Sequence, residues 1–496
     1  MKAIMALLCA GMFCDAQAQA VSNKDSVRQQ LDRWAASEDP ADRQMLERRL
    51  RSLAASDTEM DMSLAVSYYY RIKNVKASDS VLAAEIRKFP KGLEARLRKQ
   101  QAITAMKSLP EMEKAYKEFI REFPPGQYTA MPFGEDRLPY DRILSSLANG
   151  FAKEKNVEKA GYYAALLEAD FWKVKAYSGL SQVFYAHGDL TNAALYQRKA
   201  VESALPYTEG KMGKSAAANF AAGGYAEACA TYAMILCEQK EYAAALPYIE
   251  RGVAAAGASR PAFEYTYAKI LAGLGREREA YDRIEAAIRT GKATGEMSEL
   301  FKVLYVKVKG SDAGLEAYQA DIRKGVMEDL RKRLARQMVD VPAPDFLLTD
   351  LSGKQVRLAD LKGEVVILDF WAVWCVPCKA SFPAMQLAVN KYKSDPNVRF
   401  LFIHTWERTK APVEDARSYI SGQHYSFNVL MDLKDPVTKS NKVVDSYGVT
   451  SIPTKFVIDE KGHIRFRLTG FEGSNEAAMD EISMMIEMVR AAGDQK

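Results

Sequence analysis

The sequence has few cysteines and histidines, no strong excess of one charge, and no long apolar run beyond its first residues. Its 496 residues include six cysteines and four histidines. These are too few for a scaffold of many disulfides or zinc sites, since structural zinc usually takes four ligands. A net charge of +5 is too mild to predict nucleic-acid binding. No later stretch approaches the ~20 apolar residues of a transmembrane helix. We therefore expect a globular protein with no metal, no cofactor and no nucleic-acid partner.

The chain begins with a pattern typical of exported proteins. Lys2 is followed by an apolar run over residues 3–13, and small residues stand at positions 18–20. This arrangement predicts a secretory signal peptide over residues 1–20, cleaved before Val21. The remaining length still exceeds that of one typical domain, so two or three domains are expected.

A lipid anchor is the alternative to a cleaved signal, because Cys9 and Cys14 lie in the same segment. Bulky Leu8 and Phe13 precede these cysteines, whereas lipoprotein signals have a small residue at that position. We therefore expect an exported, periplasmic protein and regard lipid anchoring as the less favoured outcome.

From about residue 22 to residue 330 the apolar residues recur with a helical period. A longer pattern of aromatic, Leu-small, aromatic, turn and small positions also repeats at about 33 to 35 residues (193 − 160 and 280 − 245). Its small positions are Ala160, Ala193, Ala245 and Ala280, and Gly188 and Gly275 stand at turns. The pattern resembles the tetratricopeptide (TPR) repeat, a helix pair whose apolar face is covered by neighbouring pairs.

The repeats suggest how the helical region is organised. We assign residues 21–140 to a helical region with degenerate repeats and residues 141–320 to TPR-like repeats. Ala193 and Ala245 are 52 residues apart (245 − 193), which predicts an inserted loop over residues 208–224. A concave stack of this kind either docks a partner peptide or protein or serves as a spacer, and the sequence favours neither strongly.

The end of the helical region contains two cysteines and a predicted linker. Cys229 and Cys237 are eight residues apart on one predicted helix, about 12 Å of rise, which is too far for a disulfide. We expect buried core thiols. Residues 321–340 form a predicted amphipathic linker helix with a basic, solvated face. Pro342 and Pro344 then mark the start of the last domain.

The strongest chemical signal is a pair of cysteines separated by two residues. A strand is predicted over residues 365–370, Cys375 and Cys378 follow, and a helical pattern covers residues 380–391. Cys375 therefore stands at a helix N-terminus, where unpaired N–H groups and the helix dipole lower the pKa of a thiol. Cys378 lies one helical turn further, within reach of a mixed disulfide at Cys375.

The alternatives to redox chemistry are a structural cysteine pair and half of a zinc site. The sequence has no second Cys-x-x-Cys and no histidine close to this one, so the four ligands that zinc usually takes are missing. Redox chemistry is therefore the favoured interpretation.

Two separate signatures give this region a family resemblance. The segment 369–379 (Asp-Phe-Trp-Ala-x-Trp-Cys-x-Pro-Cys-Lys) closely resembles the active-site signature of thioredoxin, and the segment 448–454 (Gly-Val-x-Ser-Ile-Pro-Thr) resembles its cis-proline loop. The lead-in at residues 342–346 and 358–363 is similar to that of TlpA/ResA-type thiol–disulfide oxidoreductases. The resemblance implies an α/β thioredoxin-like fold with a mixed sheet over residues 341–496. The chain would thus combine an N-terminal all-α, TPR-like solenoid with a redox domain.

The resemblance also implies catalytic roles. Cys375 would be the attacking nucleophile, Cys378 the resolving thiol, and the two together the redox disulfide. Asp369, which is expected to be buried with a raised pKa, would accept and return the proton of Cys378. Many TlpA/ResA-like proteins have Asn at this position, and a purely structural, hydrogen-bonded Asp369 is the alternative.

Substrate-binding roles follow from the same resemblance. Pro453 is expected to be cis and to lie against the cysteine pair, leaving the backbone of Ile452 free to pair with a substrate strand. Trp374 is expected to line the approach to the cysteines.

These features predict an exported thiol–disulfide oxidoreductase that reduces or isomerises disulfides in partner proteins, with the helical repeats as a docking arm. Its expected partners are protein thiols and disulfides, a membrane-linked electron donor, and a peptide or protein bound by the repeats. The alternative is a redox-sensing binding scaffold in which the repeats carry the main function. A peroxidase is disfavoured, because the Pro-x-x-x-Thr-x-x-Cys arrangement of that family is absent.

Overall fold

The computed structural model describes residues 27–128, 137–209, 215–257, 260–291, 293–436, 438, 440–471 and 474–493. The predicted signal peptide over residues 1–20 lies outside these ranges. The chain divides into two compact units between Ala228 and Cys229. Within the described ranges, no helix combines the length and the apolar character that crossing a bilayer requires.

The N-terminal part of the described chain is entirely helical, as predicted. Its helices are α1 (27–36), α2 (Pro40–Ala54), α3 (Glu59–Arg71), α4 (Val75–Lys88), α5 (Leu93–Thr104), α6 (Leu109–Glu122), α7 (Leu138–Lys153), α8 (Val157–Ala165), α9 (Asp170–Ala186), α10 (Leu190–Thr208), α11 (Ala216–Gly223), α12 (Tyr225–Glu238), α13 (Tyr242–Ala256), α14 (Pro261–Gly273), α15 (Glu277–Arg289), α16 (Gly295–Lys309) and α17 (Leu315–Gln337).

Several of these helices pair into hairpins through the same turn. One residue of each turn adopts the left-handed conformation, with φ between 60° and 76°: Lys73, Lys155, Gly188, Lys240 and Gly275. The next residue donates its N–H to the carbonyl five positions earlier. This is the hydrogen bond of the Schellman turn, which satisfies the last carbonyls of the first helix.

The second helix of each hairpin presents a small residue to its neighbours. The residues at this position are at most 4% exposed: Ser78, Ala160, Ala193, Ala245 and Ala280. A small side chain there allows the helices to approach closely. The predicted helix pairs and their small contact positions are thus confirmed, whereas the assignment of the hairpins to the TPR family stays a prediction.

The inserted segment after α10 is not the loop that we expected. α10 continues to Thr208, and α11 covers residues 216–223. The hydroxyl of Ser215 accepts the N–H of Ala218 at 2.9 Å and caps α11. Because five of the eight residues of α11 are alanine, the best helix former, the segment forms a short helix instead of an open loop.

The rest of the chain forms an eight-stranded mixed sheet with helices, as predicted. Its elements are β1 (Val341–Pro342), β2 (Leu347–Asp350), β3 (Gln355–Arg357), β4 (Val365–Trp371), α18 (Val376–Lys391), β5 (Val398–His404), α19 (Pro412–Gly422), β6 (Val429–Met431), α20 (Lys442–Ser446), β7 (Thr454–Ile458), β8 (His463–Thr469) and α21 (Asn475–Gly493). The strand order is β1-β8-β7-β4-β5-β6-β2-β3, in which β4, β5 and β6 run parallel and the other pairs run antiparallel.

β4 is the central strand and is buried along its whole length. Its residues alternate between two apolar cores. Val365, Ile367 and Trp371 pack with α18 and α21 on one face of the sheet, and residues 366, 368 and 370 pack with α20 on the other. Asp369 shares the side of Trp371, because successive side chains of a strand point to opposite faces.

α17 includes most of the predicted linker over residues 321–340. Its Leu330 and Leu334 lie in the same apolar core as the inner face of β4. Two of its arginines form ion pairs with α21: Arg323 Nη2 lies 3.0 Å from a carboxyl oxygen of Asp480, and Arg333 Nη2 lies 3.0 Å from one of Glu481. Part of the basic face of α17 is therefore ion-paired with α21, whereas we expected this face to be solvated. The predicted domain boundary at residue 341 stays a prediction.

The packing of α17 predicts that it stabilises the sheet. Leu334→Ala leaves a cavity at a position that is 0% exposed, which should cost ~2–5 kcal/mol. We expect a matching loss of hydrogen-exchange protection at the amides of β4. Leu387→Ala on α18, where the side chain is 40% exposed, is the control and should change protection little. Equal effects of both substitutions would contradict a core role for α17.

Candidate active site

The two redox cysteines lie where β4 leaves the sheet and α18 begins. Cys375 is the N-cap of α18, and its sulfur accepts the N–H of Cys378 at 3.2 Å. Cys375 and Cys378 are bonded, with an S–S distance of 1.97 Å. Both are buried: Cys375 is 2% exposed and Cys378 is not exposed. The structure thus places Cys375 at the helix N-terminus that the sequence predicted.

The loop before β7 brings Ile452 and Pro453 to the cysteines. The peptide bond between these two residues is cis, as predicted. The carbonyl oxygen of Ile452 lies 3.7 Å from the sulfur of Cys375. Pro453 is buried, while Ile452 is half-buried. The backbone next to the Cys375 sulfur therefore comes from a segment 77 residues further along the chain.

Trp374 and Val376, which flank Cys375 in the sequence, are exposed although Cys375 itself is buried. Trp374 is 38% exposed and Val376 is 70% exposed. The indole N–H of Trp374 donates to the carbonyl of Trp406 at 2.9 Å, and the guanidinium of Arg408 lies 4.0 Å from a ring centroid of Trp374. Trp374 is thus held at the surface by the loop that follows β5.

Asp369 lies inside the sheet and is 1% exposed. Its partner across the antiparallel β4–β7 pair is Lys455, whose Nζ lies 3.3 Å from Oδ2. Oδ1 accepts no hydrogen bond from the described residues. Burial raises the pKa of Asp369, and the charge of Lys455 partly opposes this shift. The carboxyl can therefore hold a proton at higher pH than a solvent-exposed aspartate.

Lys455 also links Asp369 to the active-site helix. Its Nζ donates to the hydroxyl of Ser381 at 3.4 Å, and that hydroxyl donates to the carbonyl oxygen of Cys378 at 2.8 Å. Neither Lys455 nor Ser381 was predicted as a site residue. The sequence did carry a signal for Lys455, because this lysine, two residues after Pro453, is the charged residue of a short and mostly apolar strand.

A buried His–Glu pair, also not predicted, supports the loop before Cys375. Glu407 Oε2 accepts the N–H of Val373 at 3.1 Å and lies 3.2 Å from His404 Nε2. The His404 ring packs edge-on against Trp371, with 4.8 Å between centroids. Burial lowers the pKa of His404, although the nearby Glu407 opposes the shift. Glu407 directly follows β5, but only the fold shows that its carboxyl contacts the active-site loop.

The cysteines of the helical region are not part of this site. Cys229 is 0% exposed and Cys237 is 5% exposed. Neither forms a disulfide within the described ranges, and burial raises the pKa of Cys237. They are the buried core thiols that the sequence predicted.

Known proteins resemble the chain over this domain. The model of the AhpC/TSA family matches residues 339–467. The thiol-disulfide oxidoreductase ResA of Bacillus thuringiensis (strain Al Hakam) is 31% identical over 171 residues, which cover 34% of this chain and 87% of the relative. The ResA protein of Bacillus subtilis (strain 168) is 35% identical over 128 residues, covering 26% of this chain and 65% of the relative.

Solved structures also resemble part of the chain. The crystal structure of StoA from Bacillus subtilis is 28% identical and covers 29% of this chain and 98% of its own, with a TM-score of 0.24.

The environment of Asp369 predicts a pH-dependent stability. Because burial raises the pKa of Asp369, the folded protein binds this proton more tightly than the unfolded chain, and wild-type stability falls as pH rises above the unfolded value of ~3.9. Asp369→Asn cannot titrate there. We expect the stability of the variant relative to wild type, measured by urea unfolding of the oxidised protein, to increase from pH 4 to pH 8.

Asp395→Asn is a control of opposite sign. Arg490 holds the pKa of Asp395 below its usual range, so the wild-type carboxylate stabilises the fold above the unfolded pKa. The relative stability of Asp395→Asn should therefore decrease as pH rises to the unfolded value of ~3.9 and stay nearly constant above about pH 5, with no increase up to pH 8. A flat pH profile for Asp369→Asn would contradict the raised pKa.

Proposed function

The chain belongs to the ResA family of thiol–disulfide oxidoreductases, and we propose that it reduces or isomerises disulfides of partner proteins outside the cytoplasm through Cys375 and Cys378. The observation that carries this proposal is the position of the Cys375 sulfur, which caps α18 and accepts the N–H of Cys378 at 3.2 Å. This N–H and the positive end of the helix dipole favour the thiolate form of reduced Cys375.

The first step is attack by the Cys375 thiolate on a disulfide of the partner. The S–S bond of the partner breaks, one partner sulfur leaves as a thiolate, and Cys375 forms a mixed disulfide with the other sulfur. Cys375 lies next to the surface for this step, because both residues that flank it in the sequence, Trp374 and Val376, are exposed.

The second step releases the partner. Cys378 loses its proton and attacks the sulfur of Cys375, which restores the Cys375–Cys378 disulfide and expels the second partner thiolate. We assign the proton transfer to Asp369, whose raised pKa suits proton exchange with a thiol and whose Oδ1 accepts no hydrogen bond from the described residues. In isomerisation the partner's own thiolate attacks the mixed disulfide instead.

Ile452 and Trp374 are proposed to bind the substrate. The Ile452 carbonyl, 3.7 Å from the attacking sulfur, can accept an N–H from an extended substrate strand, as in other cases of strand addition. Pro453 has no N–H and thus leaves the pairing to Ile452. The half-exposed ring of Trp374 offers apolar contact on the approach path.

The proposal also includes the location of the enzyme, its electron donor and the role of the helical region. The sequence of residues 1–20 supports export to the periplasm, and a membrane-linked donor would return two electrons to the Cys375–Cys378 disulfide after each reduction. The helical region would dock the partner protein. Its repeated hairpins and a cavity between α5, α7 and α9, lined mostly by polar residues, support this role.

Insulin reduction by dithiothreitol tests the catalytic proposal. Cys375→Ser should reduce the rate to that of dithiothreitol alone, because the variant lacks the attacking sulfur. Cys237→Ala, which removes a buried thiol far from the redox motif in sequence, should retain the wild-type rate. Equal rates for wild type and Cys375→Ser would contradict the enzyme proposal.

Cys378→Ser tests the order of the two cysteines. Without the resolving sulfur, the mixed disulfide with Cys375 should accumulate and be visible as a covalent complex on a non-reducing gel. The complex should vanish in Cys375→Ser/Cys378→Ser. Equal accumulation in Cys375→Ser alone would mean that Cys378 is the attacking residue.

The Asp369–Lys455 pair predicts an effect on the second step only. Lys455→Met removes the charge that opposes the raised pKa of Asp369, so this pKa should rise further. The release of partner thiol from the mixed disulfide should slow by about tenfold at pH 7, and the midpoint of its pH profile should move to higher pH. Lys461→Met, at an exposed lysine of the neighbouring turn, is the control. An unchanged pH profile in Lys455→Met would limit Lys455 to a structural role.

A further inference from the structure

The helical region contains a cavity, lined mostly by polar residues, that the proposed redox chemistry does not use. α5, α7 and α9 line it, and its volume is about 480 Å³. This size lies within the range of ligand pockets. α7 contributes positions about one helical turn apart, from Arg142 through Ser145 to Asn149, and α9 contributes Trp172 and Lys175. Each of the three helices thus contributes polar side chains to the lining of the same cavity.

The charge of the cavity is positive. Arg142 and Lys175 line it, and none of its described lining residues is acidic. Within the part of the chain that the structure describes, neither cation forms an ion pair. Both lie near the ring of Trp172, with centroid distances of 5.5 Å for Arg142 and 5.4 Å for Lys175. Two cations held beside one aromatic ring and without a carboxylate favour an anionic ligand.

The cavity also contains hydrogen-bond acceptors without donors. Gln100 is 4% exposed and donates its Nε2 to the hydroxyl of Thr104 at 3.0 Å, but its Oε1 has no partner among the described residues. Oδ1 of Asn149 is likewise buried and unpartnered within the described ranges. An unpartnered buried carbonyl costs free energy. A ligand that supplies N–H groups would remove this cost.

An aromatic surface borders the polar lining of this cavity. The rings of Trp172 and Phe220 stack with 6.1 Å between centroids and an interplanar angle of 8°. Phe220 is 45% exposed, although an apolar ring of this size normally packs in a core. The indole N–H of Trp172 donates to Ser145 at 3.1 Å, which fixes the ring. The pair therefore offers a rigid apolar surface to the methylene groups of a bound side chain.

These features together select one class of ligand. A simple anion would satisfy the cations but not the acceptors, and a cationic or neutral polar molecule would leave Arg142 and Lys175 without a counter-charge. A peptide supplies backbone N–H groups, and acidic side chains supply carboxylates. We infer that the cavity between α5, α7 and α9 binds an extended, acidic peptide segment of a partner protein. This inference rests on the docking role proposed for the helical region and names the chemistry of the docked segment.

Selection from a random octapeptide phage library tests this inference with the full-length oxidised protein. The expected result is enrichment of sequences that contain Asp or Glu, and loss of enrichment on the variant Arg142→Gln/Lys175→Gln. Enrichment of sequences without acidic residues, or no enrichment over the double variant, would overturn the inference.

A synthetic copy of one enriched peptide, blocked at both ends, makes the test quantitative. Its affinity, followed by Trp fluorescence, should fall about tenfold or more for Arg142→Gln/Lys175→Gln and should decrease with added salt. Lys114→Gln/Lys153→Gln removes the same charge from exposed positions of α6 and α7 outside the cavity and should bind as wild type. Equal losses in both double variants would mean non-specific charge attraction and would overturn the inference.

Three further measurements separate the remaining outcomes. A peptide with Gln in place of every Glu and Asn in place of every Asp should bind about tenfold more weakly to the wild-type protein. Because this measurement uses no protein variant, its result does not depend on how the variants fold. Full competition by an equal concentration of inorganic phosphate would show a small-anion site and overturn the peptide proposal. Insulin reduction by Arg142→Gln/Lys175→Gln should stay at the wild-type rate, so failure of peptide binding and failure of the redox function are distinguished.

Discussion

The hydrogen bond from the Cys378 N–H to the Cys375 sulfur depends on how β4 and α18 are joined. β4 is buried on both faces and ends at Trp371, and α18 begins at Val376 with Cys375 as its cap. Phe382 and Met385 of α18 pack into the core beneath the sheet, which holds the first turn of the helix in place. The reactivity of one sulfur therefore depends on the packing of a whole helix, because only a fixed helix N-terminus directs its N–H groups and dipole at a single atom.

β7 connects the loop that lies against the Cys375 sulfur with the Asp369–Lys455 pair inside the sheet. The strand begins directly after Pro453, so Ile452 lies against the Cys375 sulfur while Lys455 faces Asp369 inside the sheet. A buried ion pair is weak evidence for stability, because desolvation offsets much of its attraction, and apolar residues of similar volume often serve as well. The pair fits the proton-transfer role that we propose for Asp369, since it keeps a titratable carboxyl in the core next to the active-site helix.

The helical region combines two kinds of surface. Its hairpins bury small residues where helices meet, and this packing explains the regular recurrence of Ala and Ser along the sequence. Most positions that line the cavity between α5, α7 and α9 carry polar side chains instead, and they include buried acceptors without donors among the described residues. A region that served only as a spacer would have no reason to keep such groups unpartnered, which is why we favour docking over the spacer interpretation.

The sequence by itself determined the local features: the helix pairs with their turns at Gly188 and Gly275, the strand–cysteine–helix order, and the burial of Asp369 within an apolar strand. Each of these depends on residues close together in the chain, where periodicity and turn chemistry are informative. Lys455, Ser381, Glu407 and the cavity lined by Arg142 and Lys175 were not predicted, and the expected loop over residues 208–224 contains α11. Only the tertiary structure decided these, because strand pairing and helix packing bring together side chains whose distance in the sequence carries no signal of contact.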